Sequence, residues 1–225
     1  MSDNKRDIII VTGGSIDNLF AYRFLNKFEN PYIIGVDRGL LFLKSAEVTP
    51  NEIMGDMDSV DHEEIKVFME NKDIIKRTFS SVKDETDTQL AISRATNLVE
   101  GNASFGEVHI IGGTGTRLDH VLAGIHGLTY AFDRGVNVYM YDPNNKIYLA
   151  PREYTIARTS QYGKYVSFLP VSEKVESLTL TGFRYNLKRY TLFIQKSLAT
   201  SNMIVEEMAT VKYRSGYLLA IESLD

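Results

Sequence analysis

The sequence predicts an α/β chain: an N-terminal domain with a mainly parallel sheet and flanking helices, then a C-terminal all-β sandwich. Three observations predict it. Short β-branched runs alternate with longer segments of helical spacing over the first stretch of the chain. Near residue 143 the texture changes, and no long helical pattern follows. Turn signals then punctuate a series of short alternating strands. The expected domains are therefore 1–143 and 144–225, joined by a short linker.

In the first domain "DIIIVTGG", "PYIIGVD", "EVHIIGG" and "VNVYMYD" read as buried strands. The segments between them carry helical faces. Leu19, Phe20, Phe24 and Phe28 form one, and Ile65, Phe68 and Met69 a second. Leu90, Ala91, Ala95, Leu98 and Val99 form a third, which stops at Gly101. Leu118, Leu122, Ile125, Leu128 and Phe132 form a fourth, which stops at Gly135. Glycine at a helix end suits a left-handed cap. Strands alternating with helices imply a parallel sheet covered on both faces. In the second domain "KYVSFLPV", "ESLTLTGF", "YTLFIQ", "EEMATVKYRSG" and "YLLAIES" read as strands, with turns at Asn144-Asn145, Gly163, Gly182 and Ser215-Gly216.

Composition narrows the function. At 44% hydrophobic and 24% charged, 225 residues can bury a core without covalent staples. With no cysteine, thiolate metal sites and thiol nucleophiles are excluded. A net charge of -4 with no basic block argues against nucleic acid as a partner. No run reaches the roughly 18 apolar residues of a membrane span. The opening apolar run, Ile8 to Val11, is too short for a secretory leader, and a cytoplasmic location is expected.

Ligands of open α/β sheets bind outside the carboxyl ends of the strands. Those ends read Thr12–Gly14, Asp37–Gly39, Gly55–Ser59, Lys83–Asp87 and Gly112–His120. Asp37, Asp56, Asp58, Asp84, Asp87 and Asp119 all fall there. Carboxylates gathered at one edge repel one another and call for a cation, a shared proton or an arginine. Mg²⁺ prefers such oxygen ligands together with substrate phosphates. "GGTGTR" supplies Gly113, Thr114, Gly115, Thr116 and Arg117 at a helix start, where backbone N–H groups suit phosphate. His120 lies one helical turn after Arg117, so both can face one ligand.

Each piece also has a plainer reading. Asp56 and Asp58 can shape a turn. Thr86 with Gln89, and Thr116 with Asp119, fit capping boxes. Asp61 to Glu64 is another helix start, and His62, His109 and His126 read as surface or core residues. Ser59 is open between helix cap and ligand contact, and Met57 reads as core. "GGTGTR" lacks the lysine of a P-loop, and "TGGSID" lacks a dinucleotide fingerprint's third glycine. Taken together, the acidic strand ends, the glycine loop, and the arginine with histidine describe a nucleoside triphosphate site with Mg²⁺.

"GDMDS", "KDETDTQLAI" and "GGTGTRLDH", in this order and spacing, resemble the thiamine pyrophosphokinase family of the bacterial type. The resemblance continues through "GKYVSFLPVSEKVESLTLTGFRYNL", "SLATSN" and "SGYLLAI", covering nearly the whole chain. It implies a catalytic nucleotide-binding domain followed by a thiamine-binding β-sandwich, working as a homodimer with active sites at the interface. It implies pyrophosphoryl transfer from ATP to the hydroxyl of thiamine, giving thiamine diphosphate and AMP. Asp56, Asp58 and Asp84 then match Mg²⁺ ligands, with Asp56, Asp58, Asp84 and Arg117 as the catalytic set. Asp37, Gly39, Ser59, Thr86, Asp87, Gly113 to Thr116, Asp119 and His120 fall to the nucleotide and its phosphates. Ser201 and Asn202 match a pair near the thiamine. Of the carboxylates, Asp84 best suits a general base, an assignment the motif leaves open.

The chain departs from the family at Ala199, where glycine is frequent, and at Met203, where an acid is. It has no tryptophan, so a ring stacked on thiamine must come from Tyr or Phe. Two other functions share the acidic edge: a pyrophosphokinase for another alcohol, such as a hydroxymethylpterin, and a nucleotide sensor without chemistry. AMP release with thiamine as acceptor separates all three.

Overall fold

The computed structural model describes residues 5–56, 60–79 and 84–224. Asp58 and Ser59, and the core expectation for Met57, lie outside the described residues. The chain divides into two compact units, 1–143 and 144–225.

The first unit alternates strand and helix: β1 (Arg6–Val11), α1 (Asn18–Leu25), β2 (Tyr32–Val36), α2 (Gly39–Ser45), β3 (Glu52–Gly55) and α3 (His62–Glu70). There follow β4 (Ile75–Thr78), α4 (Asp87–Gly101), β5 (Phe105–Ile111), α5 (Leu118–Phe132) and β6 (Val138–Tyr141). The six strands pair in the order β4-β3-β2-β1-β5-β6, every neighbour parallel. β2 and β3 are buried along their whole length, as strands covered on both faces must be. Ile9, Val11, Ile33, Ile53 and Ile111 pack with Phe24, Leu40, Leu43 and Ile65 into one core.

Side-chain caps start the helices where the sequence offers them. Asp17 accepts from Phe20 N–H, Asp61 from Glu63 N–H, and Thr86 with Gln89 completes a full capping box. The second expected box does not form. Arg117 is the N-cap of α5, and its side chain makes no cap bond to the helix.

Other expectations need correcting. Leu19, Leu118 and Leu122 are exposed, while the core side of α1 and α5 is made by Ala21, Phe24, Gly124, Leu128 and Ala131. The apolar stripes continue onto the solvent face, so spacing alone misplaces their edges. Gly135 has φ 69° and ends α5 left-handed, but Gly101 is the last residue of α4 with no positive φ. α2 was not expected, because "GLLFLKS" is too short for its spacing to separate helix from strand.

The second unit holds β7 (Asn145–Leu149), β8 (Glu153–Ala157), β9 (Tyr165–Pro170), β10 (Lys174–Thr181), β11 (Leu187–Phe193), β12 (Met208–Lys212) and β13 (Leu218–Ser223). β13 lies between β7 and β9, and β10, β12 and β8 continue from β11 in a four-stranded sheet; all these pairs are antiparallel. β9 alternates half-buried and buried residues with period two. Phe168 and Phe183 meet edge to face at 5.5 Å in its core, as the expected sandwich requires.

Candidate active site

The chain steps outward from β1 through β2, β3 and β4, then returns to the other side of β1 with β5 and β6. Strand order reverses between β1 and β5, and the crevice at their carboxyl ends is where such sheets hold ligands. Two glycine loops leave those strands and touch. Gly14 N–H donates to Gly112 O at 2.9 Å, and Ser15 N–H to Thr114 O at 2.8 Å. A Cβ on Gly14 would overlap both carbonyls, so only glycine allows this crossing.

One strand further, Asp37, Asp56 and Asp87 converge. Each is half-buried, and one oxygen of each lies within 4.8 Å of the others. Asp37 follows β2 in the left-handed region, at φ 46°. A non-glycine residue held there is strained, a common feature of functional sites. Gly55 makes room for it, since a Cβ at that position would overlap Asp37 Oδ1. Asp56 directly follows β3, and Asp87 opens α4 behind the Thr86 cap. At this separation, two ionised carboxylates repel by about 3.5 kcal/mol at an effective dielectric near 20. A compact all-oxygen set of this kind fits a hard divalent cation.

Among the described residues, the expected residues gather as follows. Asp56 is in the trio, but its companions are Asp37 and Asp87, which were expected on the nucleotide rather than the metal. Asp84 is exposed and stands outside the trio. The signal for Asp37 was its strand-end position; its left-handed backbone has no signature in the sequence. Gly39 is buried against the Val11 carbonyl, a packing reason for glycine there. Thr12, at the first of the strand ends, has a structural partner. Its Oγ1 lies 2.8 Å from Thr88 Oγ1, tying the end of β1 to the first turn of α4.

Gly113 to Thr116 lead from β5 into α5, and Thr116 to His120 are exposed. Arg117 Nη2 sits 2.6 Å from Asp119 Oδ2, both side chains about two-thirds exposed. Hydrogen bonding to Arg117 lowers the Asp119 pKa, and the same contact raises that of Arg117.

In the second unit Ser201 has φ 53° and Asn202 is buried. The Asn202 amide grips Tyr185: its Oδ1 accepts from Tyr185 N–H at 3.0 Å, and its Nδ2 donates to Tyr185 O at 2.8 Å. The Tyr185 side chain is left exposed, with the Arg184 guanidinium 5.5 Å from its ring centre.

Comparison with known proteins matches residues 25–140 to the catalytic domain of thiamin pyrophosphokinase and 153–218 to its vitamin B1 binding domain. Thiamine pyrophosphokinase from Bacillus subtilis is 32% identical over 98% of this chain and all of that protein. Its crystal structure superposes with a TM-score of 0.82, covering 98% of this chain and 100% of that one. Thiamin pyrophosphokinase from Geobacillus thermodenitrificans, also 32% identical, gives 0.80 over 97% and 98%. Both domain models in order, with full-length relatives of this similarity, show that the chain belongs to the thiamine pyrophosphokinase family.

Proposed function

We infer that the protein transfers the pyrophosphoryl group of ATP to the hydroxyl of thiamine, releasing AMP and thiamine diphosphate. The observation that carries this reading is the convergence of Asp37, Asp56 and Asp87 beside the sheet's switch point, in a chain of this family. We assign the nucleotide chemistry to residues 1–143 and thiamine recognition to 144–225.

Asp56, Asp87 and Asp37 would hold Mg²⁺, with Asp58 and Asp84 as the further carboxylates of that edge. A cation held there would supply positive charge to neutralise the phosphates. Gly113 to Thr116 at the amino end of α5 offer backbone N–H groups to phosphate oxygens. Thr86, Gly39, Ser59 and His120 complete the proposed nucleotide contacts. Arg117 exchanges Asp119 for a phosphate oxygen and stabilises charge in the transition state, a task its planar fork suits. The thiamine oxygen attacks the β-phosphorus, its proton passes to Asp84, and AMP leaves. Positioning supplies most of the rate, because an alcohol is a weak nucleophile at neutral pH.

On the thiamine side, Ser201 and Asn202 act with Tyr185. Asn202 fixes the Tyr185 backbone, and the exposed ring stacks on the cationic thiazolium. We further assign a homodimer with active sites at the subunit interface. Exposed Phe193, Ile194 and Leu198 on the second unit support it as apolar surface suited to a partner. We also assign it to the cytoplasm, where ATP is supplied. Among the described residues no helix is long and apolar enough to cross a membrane.

The deciding experiment supplies thiamine, ATP and Mg²⁺ and follows products by ³¹P NMR. AMP with thiamine diphosphate is expected; ADP, or ATP consumption that ignores thiamine, would overturn the assignment.

A further inference from the structure

Glu52 is a fully buried carboxylate at the first residue of β3, at the sheet edge opposite the acidic trio. Three side chains satisfy it. Tyr32 Oη donates at 3.0 Å, Arg77 Nε binds Oε1, and Arg94 forks onto both oxygens with Nε at 3.0 Å and Nη2 at 3.1 Å. A buried ion pair is a weak source of stability, and its best-attested use is to fix register. Here Glu52, Tyr32 and Arg77 all come from strands, and Arg94 alone comes from a helix. The pair therefore joins α4 to β3 at one defined point.

That point matters for the other end of the same helix. Asp87 and Arg94 are seven residues apart, so they share one face of α4 to within about 20°. They are separated by about 10.5 Å along the helix axis. Glu52 and Asp56 are four residues apart along β3 and its exit, about 13 Å. The two spans differ by less than a side chain's reach. With Arg94 seated on Glu52, Asp87 arrives beside Asp56, where the structure has it. The bond between Thr12 and Thr88 ties the same first turn to β1.

We propose that Glu52 and Arg94 are a positioning pair that sets the placement of α4 along β3 and thereby the spacing of Asp87 from Asp56 and Asp37 for a divalent cation. The proposal rests on the reading of that trio as the metal site. It makes Arg94 a determinant of metal affinity although it lies two helical turns from any carboxylate of the trio.

The test uses Arg94→Met, Arg94→Lys, Asp87→Asn and, as a stability control in the same helix, Ile92→Val. Two quantities are read: the Mg²⁺ concentration at half-maximal turnover, and Mn²⁺ affinity of the ligand-free protein by electron paramagnetic resonance. Arg94→Met is expected to weaken both by about tenfold, the lower end for residues that orient ligands. Arg94→Lys, which keeps charge but loses the fork, is expected to fall between, with the thiamine KM unchanged throughout. Ile92→Val is expected to lower the melting temperature and leave metal binding alone. If Arg94→Met does not fold, Glu52→Leu/Arg94→Met replaces the pair by apolar groups and carries the same expectation. A lower melting temperature with unchanged Mn²⁺ affinity in the readable variant overturns the positioning role. Unchanged metal binding in Asp87→Asn overturns the trio itself as the metal site, and the pair's role falls with it.

Discussion

Gly55 closes β3 at φ 139°, and its missing side chain is what lets Asp37 stand against the end of the strand. Gly55→Ala faces two penalties at once. The backbone enters a region L-residues rarely adopt, a strain of roughly 1–3 kcal/mol. The added methyl also pushes on Asp37 Oδ1. The expected outcome is a lower melting temperature together with a raised Mg²⁺ requirement. Both are read on one preparation by thermal unfolding and a metal titration of turnover.

Thr86 and Asp87 are neighbours with separable roles. The Thr86 side chain caps α4, and Thr86→Ala should cost about 1 kcal/mol of stability, measured by urea unfolding. Asp87→Asn keeps the cap and the helix. It should leave the urea midpoint nearly unchanged and lower kcat at fixed Mg²⁺. Recovery of activity at high Mg²⁺ is expected for Asp87→Asn only.

Arg117 and Asp119 form an exposed pair, which does little for stability and screens readily in salt. Arg117→Ala should therefore keep its melting temperature. Loss of a charge stabiliser from the transition state should lower kcat/KM by about 10²-fold, the scale for one oriented donor. Steady-state kinetics with thiamine and ATP checks this, and an unchanged kcat/KM would remove Arg117 from the mechanism.

How much of this was legible in the sequence depends on the type of signal. The parallel sheet was readable because Ile8–Val11 is an unbroken β-branched run and Ile33–Val36 is interrupted only by Gly35, a texture that burial on both faces explains. The Thr86 box was readable because capping is local. The trio was only partly readable. Asp56 was marked by its strand, but the pairing of Asp37 with Asp87 joins residues fifty apart, and it depends on a left-handed φ and on how far α4 slides along β3. Asn202 was read as a ligand contact, yet its amide is used on the Tyr185 backbone, a long-range bond that no spacing rule reveals.

In the second unit, Glu176 joins strand β10 to the turn before β13. It accepts hydrogen bonds from Lys174, Arg214 and Ser215, which together lower its pKa to about 2. A depressed carboxylate pKa contributes stability above its unfolded value near 4.5 and loses it as pH falls toward 2. Glu176→Gln should therefore unfold at lower urea than the parent at pH 7, and the gap should narrow steadily below pH 4.5. A gap independent of pH would mean the bonds act without the charge.

Tyr185 and Asn202 give the sharpest test of the thiamine side. Tyr185→Ala removes an exposed ring and should leave stability almost intact, since the residue is 57% exposed. Loss of cation–π stacking, worth about 0.5–2 kcal/mol, should raise the thiamine KM by roughly 2- to 30-fold and leave that for ATP unchanged. Asn202→Ala should raise the same constant because the ring is no longer held. It should also cost about 1–3 kcal/mol of stability, since the backbone groups of Tyr185 lose their partner. In the double variant the KM effects should not add, because both substitutions remove one interaction. Additive effects in that cycle would mean Asn202 acts on thiamine by another route than Tyr185.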